Sequence, residues 1–120
     1  MRCEELHRIA YDGSKPDWLR KEACLRLLSH GCIDSLYNLA YDGSKPDWLR
    51  KMAVECLGVL GSLPDDVESF EVTIYNEHIV IGGAALSFSQ MKKRAIKKLA
   101  DLAYDGSKPD WLRKMAIRKI

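Results

Sequence analysis

The sequence predicts a mainly α-helical fold: a short right-handed α-solenoid of three helical hairpins, with a β-hairpin inserted between the second and third. Three observations carry this expectation. The string AYDGSKPDWLRK occurs three times, at 10–21, 40–51 and 103–114. Apolar residues recur at helical spacing on both sides of every copy. One stretch, Glu68–Phe88, switches to a period of two. The implied division is repeat one at 1–30, repeat two at 31–61, an insertion at 62–87 and repeat three at 88–120.

Each repeat begins with an apolar stripe. Cys3, Leu6, Ile9 and Ala10 align with Ile33, Leu36, Leu39 and Ala40, then with Ile96, Leu99, Leu102 and Ala103. Spacing of i, i+3, i+6, i+7 places each set on one side of a helix. The segment DGSKP follows as a turn, with Gly13 predicted to cap the first helix. Ser14 and Asp17 have the spacing of a capping box, and Pro16 is tolerated in a first helical turn. A second stripe then runs Leu19, Ala23, Leu27, repeated as Leu49, Ala53, Leu57 and as Leu112, Ala116, Ile120. The unit is helix, turn, helix.

The second interval between copies exceeds the first by 33 residues, 63 against 30. Within it Phe70, Val72 and Ile74 alternate with Glu71, Thr73 and Tyr75. Asn76-Glu77 is the expected turn, HIVI the returning strand, and Gly82-Gly83 its end. A degenerate helical repeat is the alternative, because 63 is close to twice 30. Ser87 and Gln90 form a further capping-box pattern, so a helix is expected from Phe88 to Tyr104.

The run Leu39–Gly61, LAYDGSKPDWLRKMAVECLGVLG, resembles a HEAT-like repeat of the phycobilisome-lyase type. The matching positions are Leu39, Asp42, Leu49, Arg50, Ala53, Leu57, Gly58, Leu60 and Gly61. The turn is about two residues longer than that pattern has, and the other two copies lack the full glycine ending. The resemblance extends over about 90 of the 120 residues. It implies stacked helical hairpins, and it implies that Arg20, Arg50 and Arg113 tie to turn aspartates such as Asp12, Asp42 or Asp105. It says little about function, since such repeats serve many partners.

Composition bounds the rest. A chain with 47% apolar and 30% charged residues has the make-up of an ordinary globular domain, and no apolar run is long enough to span a membrane. The opening MRCEELHRIA does not read as a secretion signal, so a cytoplasmic location is expected. The four cysteines, Cys3, Cys24, Cys32 and Cys56, are irregularly spaced and are expected to be reduced thiols. The net charge of +2 hides an asymmetry. Residues 91–120 carry ten Lys/Arg against three Asp. Residues 61–90 carry Asp65, Asp66, Glu68, Glu71 and Glu77 with no Lys or Arg. These blocks could attract each other within a chain or between chains.

No catalytic constellation emerges, so the chain is not expected to be an enzyme, and no cofactor or metal is expected. Cys24, His30, Cys32 and Cys56 lack a zinc spacing. The iron-binding His-Glu pairs of some HEAT-like enzymes do not carry over, because the one such pair, Glu77-His78, is reversed and lies in the insertion. Candidate binding residues are Trp18 with Lys21, Trp48 with Lys51 and Trp111 with Lys114. On a helical wheel Trp18 falls about 140° from the core stripe, which would set a ladder of Trp–Lys pairs on the inner face. The competing reading packs each tryptophan against the next repeat. Lys92, Lys93, Arg94, Lys97 and Lys98 form a basic patch, read chiefly as a solvated helix face.

The function expected is therefore a non-catalytic scaffold binding a protein or peptide. The alternative, implied by the resemblance, is an accessory or catalytic lyase-type protein acting on a pigment or modified polypeptide. A polyanion or nucleic-acid binder using the basic third repeat comes third. The three identical turns amid diverged helices imply either a repeated constraint or an engineered, consensus-derived framework. Leu112, Ala116, Ile117 and Ile120 are expected to lie partly uncovered, which together with the insertion predicts a symmetric homodimer.

Overall fold

The structure, a computed structural model, describes residues 2–65, 67–83 and 86–120. Its elements in chain order are α1 (Arg2–Tyr11), α2 (Asp17–Ser29), α3 (Ile33–Tyr41), α4 (Asp47–Gly61), β1 (Ser69–Ile74), β2 (Glu77–Gly82), α5 (Phe88–Tyr104) and α6 (Asp110–Arg118). Helices pair in sequence: α1 with α2, α3 with α4, and α5 with α6. Each first helix also touches the next first helix, and α2 touches α4 as α4 touches α6. The body measures 36 × 31 × 26 Å.

The stripes read from the sequence form the core. Leu36, Leu39, Leu49, Leu57, Leu99, Leu102 and Leu112 are fully buried. The first helix is less enclosed, with Cys3, Leu6 and Ile9 half-buried; at the other end Ile117 and Ile120 are exposed, but Leu112 and Ala116, expected to lie partly uncovered, are fully buried. Gly58 and Gly61, which only the second repeat has together, are sites of close approach. A Cβ on Gly58 would come within 2.9 Å of Lys119 Cδ, and one on Gly61 within 3.4 Å of Ile96. The glycines let α4 receive α5 and the end of α6. Lys119 then reaches Glu55, with Nζ 2.8 Å from the carboxylate.

The insertion is a β-hairpin. The antiparallel register pairs Phe70 with Ile81, Val72 with Ile79 and Ile74 with Glu77. The turn is therefore Tyr75-Asn76, one residue earlier than expected. Both residues have positive φ (52° and 61°), the left-handed pair a two-residue hairpin turn requires. The hairpin is not a loose appendage. Ile81 is wholly buried, β2 lies on α2, and Ser29 Oγ donates to the Val80 carbonyl at 2.6 Å. Ser87 and Gln90 form the expected capping box at the start of α5. Of the acidic block, Asp66 lies outside the described residues, and Asp65 pairs with Lys92 at 3.6 Å.

Two local expectations are corrected. Gly13 does not cap α1, and Ser14 does not cap α2: the N-cap is Pro16, which makes no side-chain capping bond. Ser14 instead donates its N–H (2.9 Å) and its hydroxyl (2.6 Å) to Asp12 Oδ1, closing an Asx turn. The same pair recurs as Ser44 on Asp42 and Ser107 on Asp105. Ser14 stands two residues before the N-cap, so its hydroxyl oxygen is not in the position that accepts from the first helical turn.

The cysteines are the second correction. Cys3 and Cys32 form a disulfide, with Cα atoms 5.7 Å apart. Cys3 holds the stripe position that Ile33 holds one repeat later, so stacking α1 on α3 brings it beside Cys32. Gly31, with φ 66°, turns the chain there: its N–H and that of Cys32 bond the Leu28 and Leu27 carbonyls, the double bond of a left-handed helix cap. Cys24 and Cys56 are buried thiols. Contact with Cys24, then burial, pushes the Cys56 thiol well above its usual range. No described helix is long and apolar enough to cross a membrane.

Candidate functional site

The side chains of the three identical segments bond both within their own repeat and across to the neighbouring one. Arg20, Arg50 and Arg113 do not reach the turn aspartates. Each donates its Nε to the carbonyl ten residues earlier: Ala10 at 3.0 Å, Ala40 at 3.0 Å and Ala103 at 2.9 Å. These are late carbonyls of α1, α3 and α5 that their own helices leave for other donors. The arginine thus ties the two helices of its own hairpin. The aspartates are already taken by the serine N–H and hydroxyl groups.

The tryptophans meet the preceding repeat. Arg20 Cζ and Lys21 Nζ lie 5.7 and 5.5 Å from the Trp48 ring centre. Arg50 and Lys51 lie 5.4 Å from that of Trp111. The pairing is thus Lys21 with Trp48 and Lys51 with Trp111, not the Trp18/Lys21, Trp48/Lys51 and Trp111/Lys114 pairs expected within repeats. Arg20 and Arg50 each bury an Nη2 with no hydrogen-bond partner among the described residues. The negative face of the facing indole compensates such an edge. Trp48 and Trp111 are half-buried in these contacts, while Trp18 is 69% exposed.

The tyrosines repeat the pattern. Lys45 Nζ stands 3.9 Å from the Tyr11 ring centre and donates to the Tyr11 carbonyl at 2.9 Å. Lys108 does the same to Tyr41, at 3.4 and 3.0 Å. The Tyr11 hydroxyl donates to Asp42. Burial, then this bond, raises the Tyr11 hydroxyl to about 12. Bonds from Tyr11 and then Ser44 hold the Asp42 carboxyl down to about 2.

Between these clamps lies a cleft of about 360 Å³ lined by His7, Tyr11, Asn38, Tyr41, Asp42, Gly43 and Lys108. His7 stacks on Tyr11 with ring centres 4.9 Å apart. Burial, then the charge of Lys45, lowers its pKa. Asn38 is exposed, and its carboxamide makes no hydrogen bond among the described residues, leaving two donors and an acceptor available. The sequence reading missed this cleft. Tyr11 and Tyr41 sit inside the repeated string, but Asn38 belongs to repeat two alone and carries no motif.

The basic patch is largely occupied within the fold. Lys92 pairs with Asp65, Arg94 lies 3.5 Å from Asp34, and Lys98 caps the Tyr37 ring at 4.6 Å. Lys93 and Lys97 face solvent. Among the described residues no group of three metal-ligating side chains converges.

Compared with protein-family models, with characterised proteins and with solved structures, the chain matches none.

Proposed function

We propose that the chain is a non-catalytic scaffold, a short solenoid of HEAT-like hairpins, that binds an extended peptide segment of a partner protein in the cleft between α1, α3 and the third turn. The observation that carries this reading is the Asn38 carboxamide, unspent and exposed between Tyr11 and Tyr41. A carboxamide presents a donor and an acceptor side by side, which is the complement of one residue of extended peptide backbone. Aromatic rings on both sides offer apolar contact at low entropic cost, since each tyrosine is already held by a lysine, and Tyr11 by Asp42 as well. His7, whose charged form burial disfavours, adds a further polar group.

Clamping two of the three tryptophans between repeats supports a structural role for them and moves the binding surface from the Trp–Lys ladder to this cleft. The internal pairing of Lys92, Arg94 and Lys98 favours a protein partner over a polyanion. A displayed library of random short peptides, selected on the wild type and counter-selected on Asn38→Ala, tests the reading. It predicts peptides that the wild type retains and the variant loses. Selected peptides that bind both equally, or no enrichment at all, would contradict it.

A further inference from the structure

Both internal junctions share the lysine-over-tyrosine, lysine-to-carbonyl and cation–indole contacts, and the first adds the hydrogen bond from Tyr11 to Asp42. On the upstream side stand a tyrosine, an arginine and a lysine: Tyr11, Arg20, Lys21 at the first junction and Tyr41, Arg50, Lys51 at the second. On the downstream side stand an aspartate, a lysine and a tryptophan: Asp42, Lys45, Trp48, then Asp105, Lys108, Trp111. The chain path between the halves differs greatly. The copies are 30 residues apart at the first junction and 63 apart at the second, with the hairpin intervening. The shared contacts form regardless, so side-chain complementarity makes the junction and the linker does not.

Each half also occurs once without its counterpart among the described residues. Tyr104, Arg113 and Lys114 repeat the upstream half, and Tyr104 is 89% exposed where Tyr41 is 37% exposed. Asp12, Lys15 and Trp18 repeat the downstream half, with Trp18 the most exposed of the three tryptophans. The indole seat is already shaped. A cleft of about 300 Å³ is lined by Ala103, Asp110, Arg113, Lys114 and Ile117. Arg113 is anchored to the Ala103 carbonyl at 2.9 Å, as Arg20 and Arg50 are anchored to theirs under Trp48 and Trp111. The exposed Ile117 supplies an apolar wall.

We infer that this seat takes Trp18 of a second copy of the chain, so that molecules join head to tail through a third use of the internal junction. Lys15 of the incoming copy would cover the Tyr104 ring, and its Asp12 would accept from the Tyr104 hydroxyl. The two faces are different surfaces of one molecule, so the contact is heterologous and propagates instead of closing on itself as a symmetric dimer does. None of these residues lines the Asn38 cleft, so the inference stands apart from the peptide-binding reading.

Sedimentation equilibrium from micromolar to millimolar concentration tests it, with Trp18→Ala and Lys114→Glu as variants. Both positions are exposed, so helical circular dichroism should match the wild type; Trp18→Gln and Ile117→Asp replace either variant that loses signal. The wild-type average mass should climb past that of two chains without a plateau. Each variant alone should stay at 13.6 kDa, and their equimolar mixture should form a one-to-one heterodimer and nothing larger. A wild type that stays monomeric throughout overturns the inference. So does a plateau at two chains that Trp18→Ala leaves unchanged, which would indicate a symmetric interface instead.

Discussion

Trp18 and Trp48 sit in identical stretches of twelve residues, so replacing each by alanine compares position alone. Trp48 is half-buried under Arg20 and Lys21 of the preceding repeat. A buried tryptophan removes roughly 150–250 Å² from water, so half that area at about 25 cal/mol per Å² is worth about 2–3 kcal/mol. Two cations over a half-exposed ring add about 0.5–1 kcal/mol each, part of which solvent takes back. Leaving the Arg20 Nη2 edge without its indole makes the loss larger. Trp48→Ala should therefore cost about 3 kcal/mol. Trp18→Ala should cost less than about 0.5 kcal/mol, the scale of an ordinary surface change. Urea unfolding in dilute solution measures both, read as a shift in midpoint at constant slope. Equal losses for the two variants, or a Trp48→Ala loss as small as that of Trp18→Ala, would refute the inter-repeat clamp.

Other consequences follow from the same contacts. Cys3→Ser, or reduction of the wild type, should lower stability by about 2–4 kcal/mol, since the bridge closes a loop between residues 29 apart; unchanged unfolding after reduction would contradict the disulfide. Ile81→Ala should cost about 2–4 kcal/mol although it lies in the insertion, because its side chain is wholly buried against the helices; a neutral effect would show the hairpin to be dispensable. Asp42 has a folded pKa of about 2, below its unfolded value. Its contribution is present above about pH 4 and is lost as pH falls toward about 2. Asp42→Asn should flatten the acid limb of a stability–pH curve in that window, and an unchanged limb would count against the Tyr11–Asp42–Ser44 network.

Most of the architecture was legible because periodicity survives divergence. The stripes from Cys3, Ile33 and Ile96 onward place α1, α3 and α5, and the Ser87–Gln90 pattern gives the start of α5 to the residue. What the sequence left open was which partner each polar group takes. By sequence Arg20 could go to an aspartate or to a helix-end carbonyl; it takes the Ala10 carbonyl, and Asp12 is spent on Ser14. The tryptophan's partner lies one repeat back, at a distance in sequence that a helical wheel cannot see. The disulfide was hidden for a similar reason: Cys3 and Cys32 are neighbours only once α1 stacks on α3. Asn38 carried no signal in the sequence, because an exposed carboxamide without a partner in the fold leaves no motif.

The most direct test of the scaffold reading is calorimetric titration of a peptide selected on the wild type into wild-type protein and into Asn38→Ala. Two backbone bonds to one carboxamide, at about 0.5–1.5 kcal/mol each, correspond to roughly a 5- to 150-fold change in Kd. The account predicts a loss in that range for Asn38→Ala, with no change for Trp18→Ala at concentrations where the chain is monomeric. An unaltered Kd in Asn38→Ala, or a loss of binding in Trp18→Ala instead, would place the partner elsewhere on the molecule and contradict the account.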